Sequence, residues 1–159
     1  IQVNQGQRQP VRDKLASALG SLSGKTIGVW GLAFKPNTDD VRESPAIEIF
    51  EALLKQGATV KAYDPVAMKN FQSVVNDSRI QWCTGALDVA RGSDALCLLT
   101  EWDEFKQINL QTIGKIMKNP ILIDGRNVFP LELMEEYNID YYSIGRPSVT
   151  RQKSLLEIK

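Results

Sequence analysis

A β-branched run, Thr26-Ile27-Gly28-Val29-Trp30, stops at Gly31 and is followed by the polar stretch Lys35-Pro36-Asn37-Thr38-Asp39-Asp40-Val41-Arg42-Glu43-Ser44-Pro45. The run reads as a strand, and Gly31 permits a tight turn out of it. Ser44 is a good helix N-cap, and Pro45 suits the first helical position. The order strand, polar loop, capped helix puts the loop at the carboxyl end of a strand and the amino end of a helix. An α/β sheet holds anionic ligands at that place.

The rest of the chain repeats the alternation. Ile47, Phe50, Leu53 and Leu54 make an apolar helix face, and Gly57 ends that helix. Val11, Leu15, Leu19 and Leu22 predict an earlier helix over 11–22. Further strands are expected over 59–63, 80–83, 95–99, 120–123 and 140–144, with helices or helical turns over 67–75, 87–91, 109–117 and 131–137. The stretch 95–99 is almost continuously apolar, which suits a strand covered on both faces. Together these elements predict an α/β fold of three layers: a doubly wound, mostly parallel sheet of about five to six strands between helices. Three informative segments fall at strand ends, namely Gly31 to Lys35, Thr100-Glu101-Trp102 and Asp124-Gly125-Arg126.

Composition narrows the chemistry. With 19 basic and 19 acidic residues the formal net charge is zero, which argues against a broad nucleic-acid or anionic-membrane surface. There is no histidine, so the commonest general base and metal ligand is missing. Two cysteines, Cys83 and Cys97, are too few and too far apart for a disulfide scaffold or a zinc site. Neither has a histidine partner, so nucleophilic catalysis by this chain alone is not expected. A reducing, cytoplasmic compartment follows from that cysteine usage. No apolar run is long enough to span a membrane. The sequence begins at Ile1 with a polar stretch over 2–12, so it is expected to be part of something longer.

Lys35 supplies a point charge suited to phosphate, and an ordinary connection with a solvated lysine accounts for the same residues equally well. The loop is not a Walker A motif. Only Gly28-x-x-Gly31 of the dinucleotide fingerprint is present. Asp64 ends the second strand, where an acid would read an NAD ribose, but Asp64-Pro65 reads more simply as a turn. Asp39 and Asp40 are expected to pair locally with Arg42. Arg126 is the better ligand candidate at the far strand ends, as a third cation that would complete a diphosphate clamp.

The stretch from Gly31 to Pro45 resembles the signature of the C-terminal, nucleotide-sugar-binding domain of the UDP-glucose/GDP-mannose dehydrogenase family. The likeness continues through Gly57-Ala58, Tyr63-Asp64-Pro65, 100–106, Ile123 to Arg126 and 142–146. Leu32 to Asn37 is closer to the bacterial UDP-glucose branch than to the GDP-mannose branch. The resemblance implies a Rossmann-like domain over 24–147. It also implies the end of a long central helix over 1–23 and a flexible tail over 148–159. By resemblance Phe34, Lys35 and Arg126 hold the nucleotide sugar, and Arg42 reaches across a cleft to NAD. The family's NAD is bound mainly by an N-terminal domain absent here, which also carries the catalytic cysteine. That family oxidises a nucleotide sugar's C6 hydroxyl to a carboxylate with two NAD, through a cysteine-linked thiohemiacetal and thioester. A UDP-sugar, the N-terminal domain of the same chain and a second copy in a homodimer are the implied partners, and polysaccharide synthesis the implied destination. GDP-mannose or UDP-N-acetylmannosamine as substrate, or a stand-alone dinucleotide-binding module, are the alternatives.

Overall fold

Six parallel strands lie in the spatial order β3-β2-β1-β4-β5-β6. They are β1 (Thr26–Trp30), β2 (Thr59–Tyr63), β3 (Ile80–Trp82), β4 (Ala95–Leu98), β5 (Ile121–Asp124) and β6 (Asp140–Ser143). The computed structural model describes residues 2–151, with side chains described from residue 10 onward. Every pairing within the sheet is parallel, so the expected mostly parallel sheet is wholly so. β4 and β5 are buried at every position, as continuous apolar runs require.

The helices are α1 (Gln2–Leu19), α2 (Pro45–Lys55), α3 (Met68–Gln72), α4 (Ala86–Ala90), α5 (Asp103–Lys106), α6 (Leu110–Ile116) and α7 (Leu131–Met134). The chain leaves β1 toward β2 on one side and reaches β4 on the other. Right-handed crossovers in opposite directions put their helices on opposite faces. α1 accordingly packs on α2 and β5, whereas α4 packs on α6, β1 and β2. Gly28 lets α4 come this close, since a Cβ there would stand 2.8 Å from Val89 Cγ1.

Ser44 caps α2 as expected, with its side chain accepting from Ala46 N and Pro45 at the first position. α1 differs from expectation. It starts nine residues earlier, at Gln2, and ends before Gly20, which takes φ 70°. Its first turns are glutamine-rich and carry no apolar period, yet glutamine and arginine favour helix on their own account. α3 is shorter than expected, and the single turn α5 was not anticipated.

The end of the chain also differs. The expected flexible tail begins at 148, but Val149 forms an antiparallel bridge with Tyr141, and Arg151 clamps Asp140 at 3.0 Å. The remainder, 152–159, lies outside the described residues. Among the described residues, no helix is long and apolar enough to cross a membrane.

Candidate functional site

All six strands end at one edge of the sheet, and the loops that leave it build the site. Gly31 leaves β1 with φ 97°, and a Cβ on it would meet Thr100 N at 2.5 Å. Only glycine allows the two strand-end loops to touch here. Gly31 N donates to Tyr63 O at 2.9 Å. Leu32 N and Ala33 N then donate to Asp64 Oδ2 at 2.8 and 3.1 Å. Thr100 Oγ1 donates to Ala33 O at 2.8 Å. Phe34 N donates to Asp40 O, closing the loop on itself. These bonds use the N–H groups of 31–34 and the Ala33 carbonyl, and Phe34 and Lys35 stand exposed, Phe34 by 40%.

Asp64 is the organiser that sequence reasoning passed over as a turn residue. It is 3% exposed. Oδ2 also accepts from Trp102 Nε1 at 3.0 Å, and Oδ1 accepts from Val66 N and Ala67 N at 2.9 and 2.8 Å. One carboxylate thus ties the loop after β1 to the start of the β2–α3 connection and to the loop after β4. The available signal was Asp-Pro at a strand end, where an aspartate turns back on its own backbone. Asp124 does the same work at β5. It is fully buried and accepts from Arg126 N, Val128 N, Phe129 N and the Tyr141 hydroxyl. Burial and the Asp124 carboxylate push the Tyr141 phenol up from its usual range. Arg146 closes this network by donating to Tyr141 Oη, Phe129 O and Ser143 Oγ.

The three cations predicted from sequence all stand on this edge, in different company. Lys35 has no ion-pair partner among the described residues. Arg42 pairs with Asp40 at 2.9 Å and is 88% exposed. Its hydrogen bonds hold the Asp40 carboxyl down to about 2. Arg42 lines an open hollow formed with Asn70, Ser73 and Val74, and neither Lys35 nor Arg126 lines it. Arg126 pairs with Glu101 at 3.0 Å. β4 lies between β1 and β5, so Lys35 and Arg126 rise from strands roughly 10 Å apart, two strand spacings. Trp102, in one of the strand-end segments noted above, is 8% exposed and spent on Asp64. Burial pushes the Cys97 thiol up to about 12, which leaves it inert.

The family model described as the UDP binding domain of the UDP-glucose/GDP-mannose dehydrogenase family matches residues 28–130. The chain belongs to the UDP-glucose/GDP-mannose dehydrogenase family. The match runs from inside β1 past Arg126, so it covers Asp64, Trp102 and the loops that carry Phe34, Lys35, Arg42 and Arg126. A UDP-glucose 6-dehydrogenase of Bacillus subtilis, TuaD, is 43% identical over 149 residues, which is 94% of this chain and 32% of that protein. A UDP-glucose 6-dehydrogenase of Pseudomonas aeruginosa is 42% identical over 132 residues, 80% of this chain and 29% of that protein. Among solved structures, a UDP-glucose dehydrogenase from Pyrobaculum islandicum superposes with a TM-score of 0.73 at 30% identity. It covers 89% of this chain and 30% of that one. The chain therefore spans about a third of the length of its relatives in the dehydrogenase family.

Proposed function

We propose that this chain is the nucleotide-sugar-binding domain of an NAD-dependent UDP-glucose 6-dehydrogenase, an enzyme that oxidises a C6 hydroxyl to a carboxylate. The observation that carries this reading is the family match across 28–130, which contains Phe34, Lys35, Arg42 and Arg126. Lys35 supports it physically. It is an exposed cation with no ion-pair partner among the described residues, on a loop whose backbone is braced by a buried carboxylate. Such a lysine is pre-positioned for phosphate and gives up no existing pair on binding. In this reading Phe34, Lys35 and Arg126 hold the UDP-sugar.

NAD does not fit as this domain's own switch-point ligand. The acid that would read a ribose at the end of β2 is Asp64, which is buried and already accepts five N–H groups. Gly31, where a pyrophosphate would approach, faces Thr100 instead. This also counts against a stand-alone dinucleotide-binding module. In this reading NAD falls to the part of the enzyme outside this chain, and Arg42, 88% exposed, reaches toward it. No step of the oxidation is assigned to this domain. We further read the complete enzyme as a cytoplasmic homodimer that serves polysaccharide synthesis.

Isothermal titration of the complete enzyme with UDP, UDP-glucose, UDP-N-acetylmannosamine and GDP-mannose tests the proposal. UDP and UDP-glucose bind in the micromolar range and GDP-mannose does not. A failure of UDP-glucose to bind at millimolar concentration refutes it.

A further inference from the structure

Glu101 leaves the end of β4 and meets Arg126 beyond the end of β5. Arg126 Nε and Nη2 both donate to the same oxygen, Oε2, at 3.3 and 3.0 Å. The other oxygen, Oε1, receives no donor among the described residues. The two side chains are 29% and 28% exposed, so the pair stands at the rim, half-covered and half-open. A carboxylate held in this way is unwelcome beside a diphosphate, because like charges repel at short range. The phosphates of a nucleotide sugar are therefore drawn toward Lys35, on the loop that follows the neighbouring strand β1. Glu101 is left facing the uncharged parts of the ligand, which carry hydroxyls on the ribose and on the hexose. A hydroxyl donates well to an ionised oxygen.

We propose that Glu101 is a ligand-binding residue whose Oε1 accepts a hydrogen bond from a hydroxyl of the nucleotide sugar, with Arg126 as the positioning residue that holds the carboxylate. This rests on the reading that the domain binds a nucleotide sugar. It changes the part given to Arg126: the guanidinium orients an acceptor rather than closing a diphosphate clamp.

The sign of the effect tests it. Removing a negative charge from a phosphate-binding rim would by itself tighten binding of UDP and UDP-glucose. Losing a charge-assisted contact weakens binding, by about tenfold or more. Titration of the complete enzyme with UDP-glucose and with UDP is carried out on Glu101→Ala, Glu101→Gln, Lys35→Ala and Arg126→Ala, with thermal melting alongside. Glu101→Ala is expected to weaken UDP-glucose binding by about tenfold with little change in melting. Glu101→Gln is expected to weaken UDP-glucose binding severalfold as well, because with its one oxygen on Arg126 its amide presents an N–H where the hydroxyl needs an acceptor. A loss shared by UDP places the hydroxyl on the ribose, and a loss seen only with UDP-glucose places it on the hexose. Equal or tighter binding by Glu101→Ala, with Lys35→Ala weakened, overturns the role of Glu101 and leaves the nucleotide-sugar reading intact. Unchanged binding by both Lys35→Ala and Arg126→Ala overturns that reading and this proposal with it. Glu101→Met, of similar shape and without an acceptor, replaces Glu101→Ala should the latter fail to fold.

Discussion

Asp64→Asn separates the brace of the site from the site itself. The carboxylate divides its work between two oxygens: Oδ2 takes Leu32 N, Ala33 N and Trp102 Nε1, and Oδ1 takes Val66 N and Ala67 N. Asparagine has one acceptor oxygen. If it replaces Oδ2, the two donors of the β2–α3 connection face an NH2 group and lose their acceptor. Each buried donor left unpaired costs about 1–3 kcal/mol, so the substitution destabilises by roughly 4 kcal/mol. For a domain of this size each kcal/mol lowers Tm by about 2–4 °C, which gives a fall of about 8–16 °C. Circular dichroism melting of parent and variant reads this directly. Asp39→Asn is the control: its carboxylate is exposed, so it melts within about 0.5 kcal/mol of the parent. Trp102→Phe removes one donor and leaves the carboxylate in place, so it falls between the two. UDP affinity, measured where both proteins are folded, also drops in Asp64→Asn, because the braced backbone runs straight into Phe34 and Lys35. A Tm within 3 °C of the parent would refute the claim that this carboxylate holds the loop.

Other substitutions divide the ligands between the cations. Lys35→Ala in the complete enzyme raises KM for UDP-glucose about tenfold, the loss expected for one charge-assisted contact; an unchanged KM and kcat removes Lys35 from the site. Arg42→Ala raises KM for NAD and leaves that for UDP-glucose within about twofold, and the reverse pattern overturns its assignment. Cys83 and Cys97 are both buried, so a thiol reagent at pH 8 labels neither in the native protein and labels both in denaturant; rapid native labelling of Cys97 would contradict its burial. Alkali is the fourth perturbation. Folding raises Cys97 from 9.0 and Tyr63 from 10.0, each to about 12, chiefly by desolvation. The fold thus favours the protonated forms, and their contribution is complete below about pH 9 and lost as pH climbs toward 12. Urea melts between pH 7 and 11 read that decline, and stability rising over this range would refute the sign.

Much of the fold was legible because it is written in local terms. Ala95 to Leu98 is apolar at every position, and so short a run suits a strand covered on both faces. Ser44-Pro45 announces its own helix start. The elements that escaped have weak local signals. The first turns of α1 lack an apolar period, and α5 is a single turn held by the packing of Phe105, which stacks on Trp30 at 5.2 Å. The site divides along the same line. Lys35, Arg42 and Arg126 declare themselves as cations near strand ends, but their partners depend on the sheet order. Glu101 and Arg126 are 25 residues apart in sequence and meet only because β4 and β5 are neighbours. Asp40 and Arg42, two residues apart, were expected to pair and do.

In the proposed reading, the strand-end acids are the reason a doubly wound sheet leaves the dinucleotide to another part of the enzyme. In a dinucleotide site the acid after the second strand remains open, because a ribose must reach it. Here the indole N–H of Trp102 and four backbone N–H groups reach Asp64 first, and burial to 3% exposure shuts the ribose out. Asp124 is likewise spent, on three backbone N–H groups and a phenol. Two buried carboxylates brace the loops through these hydrogen bonds instead of facing a ligand. What the edge then offers a ligand is a lysine with no ion-pair partner among the described residues, an exposed arginine and one half-open glutamate. A cation for phosphate and an acceptor for hydroxyls, on loops of neighbouring strands, suit the diphosphate and the hydroxyls of a sugar nucleotide.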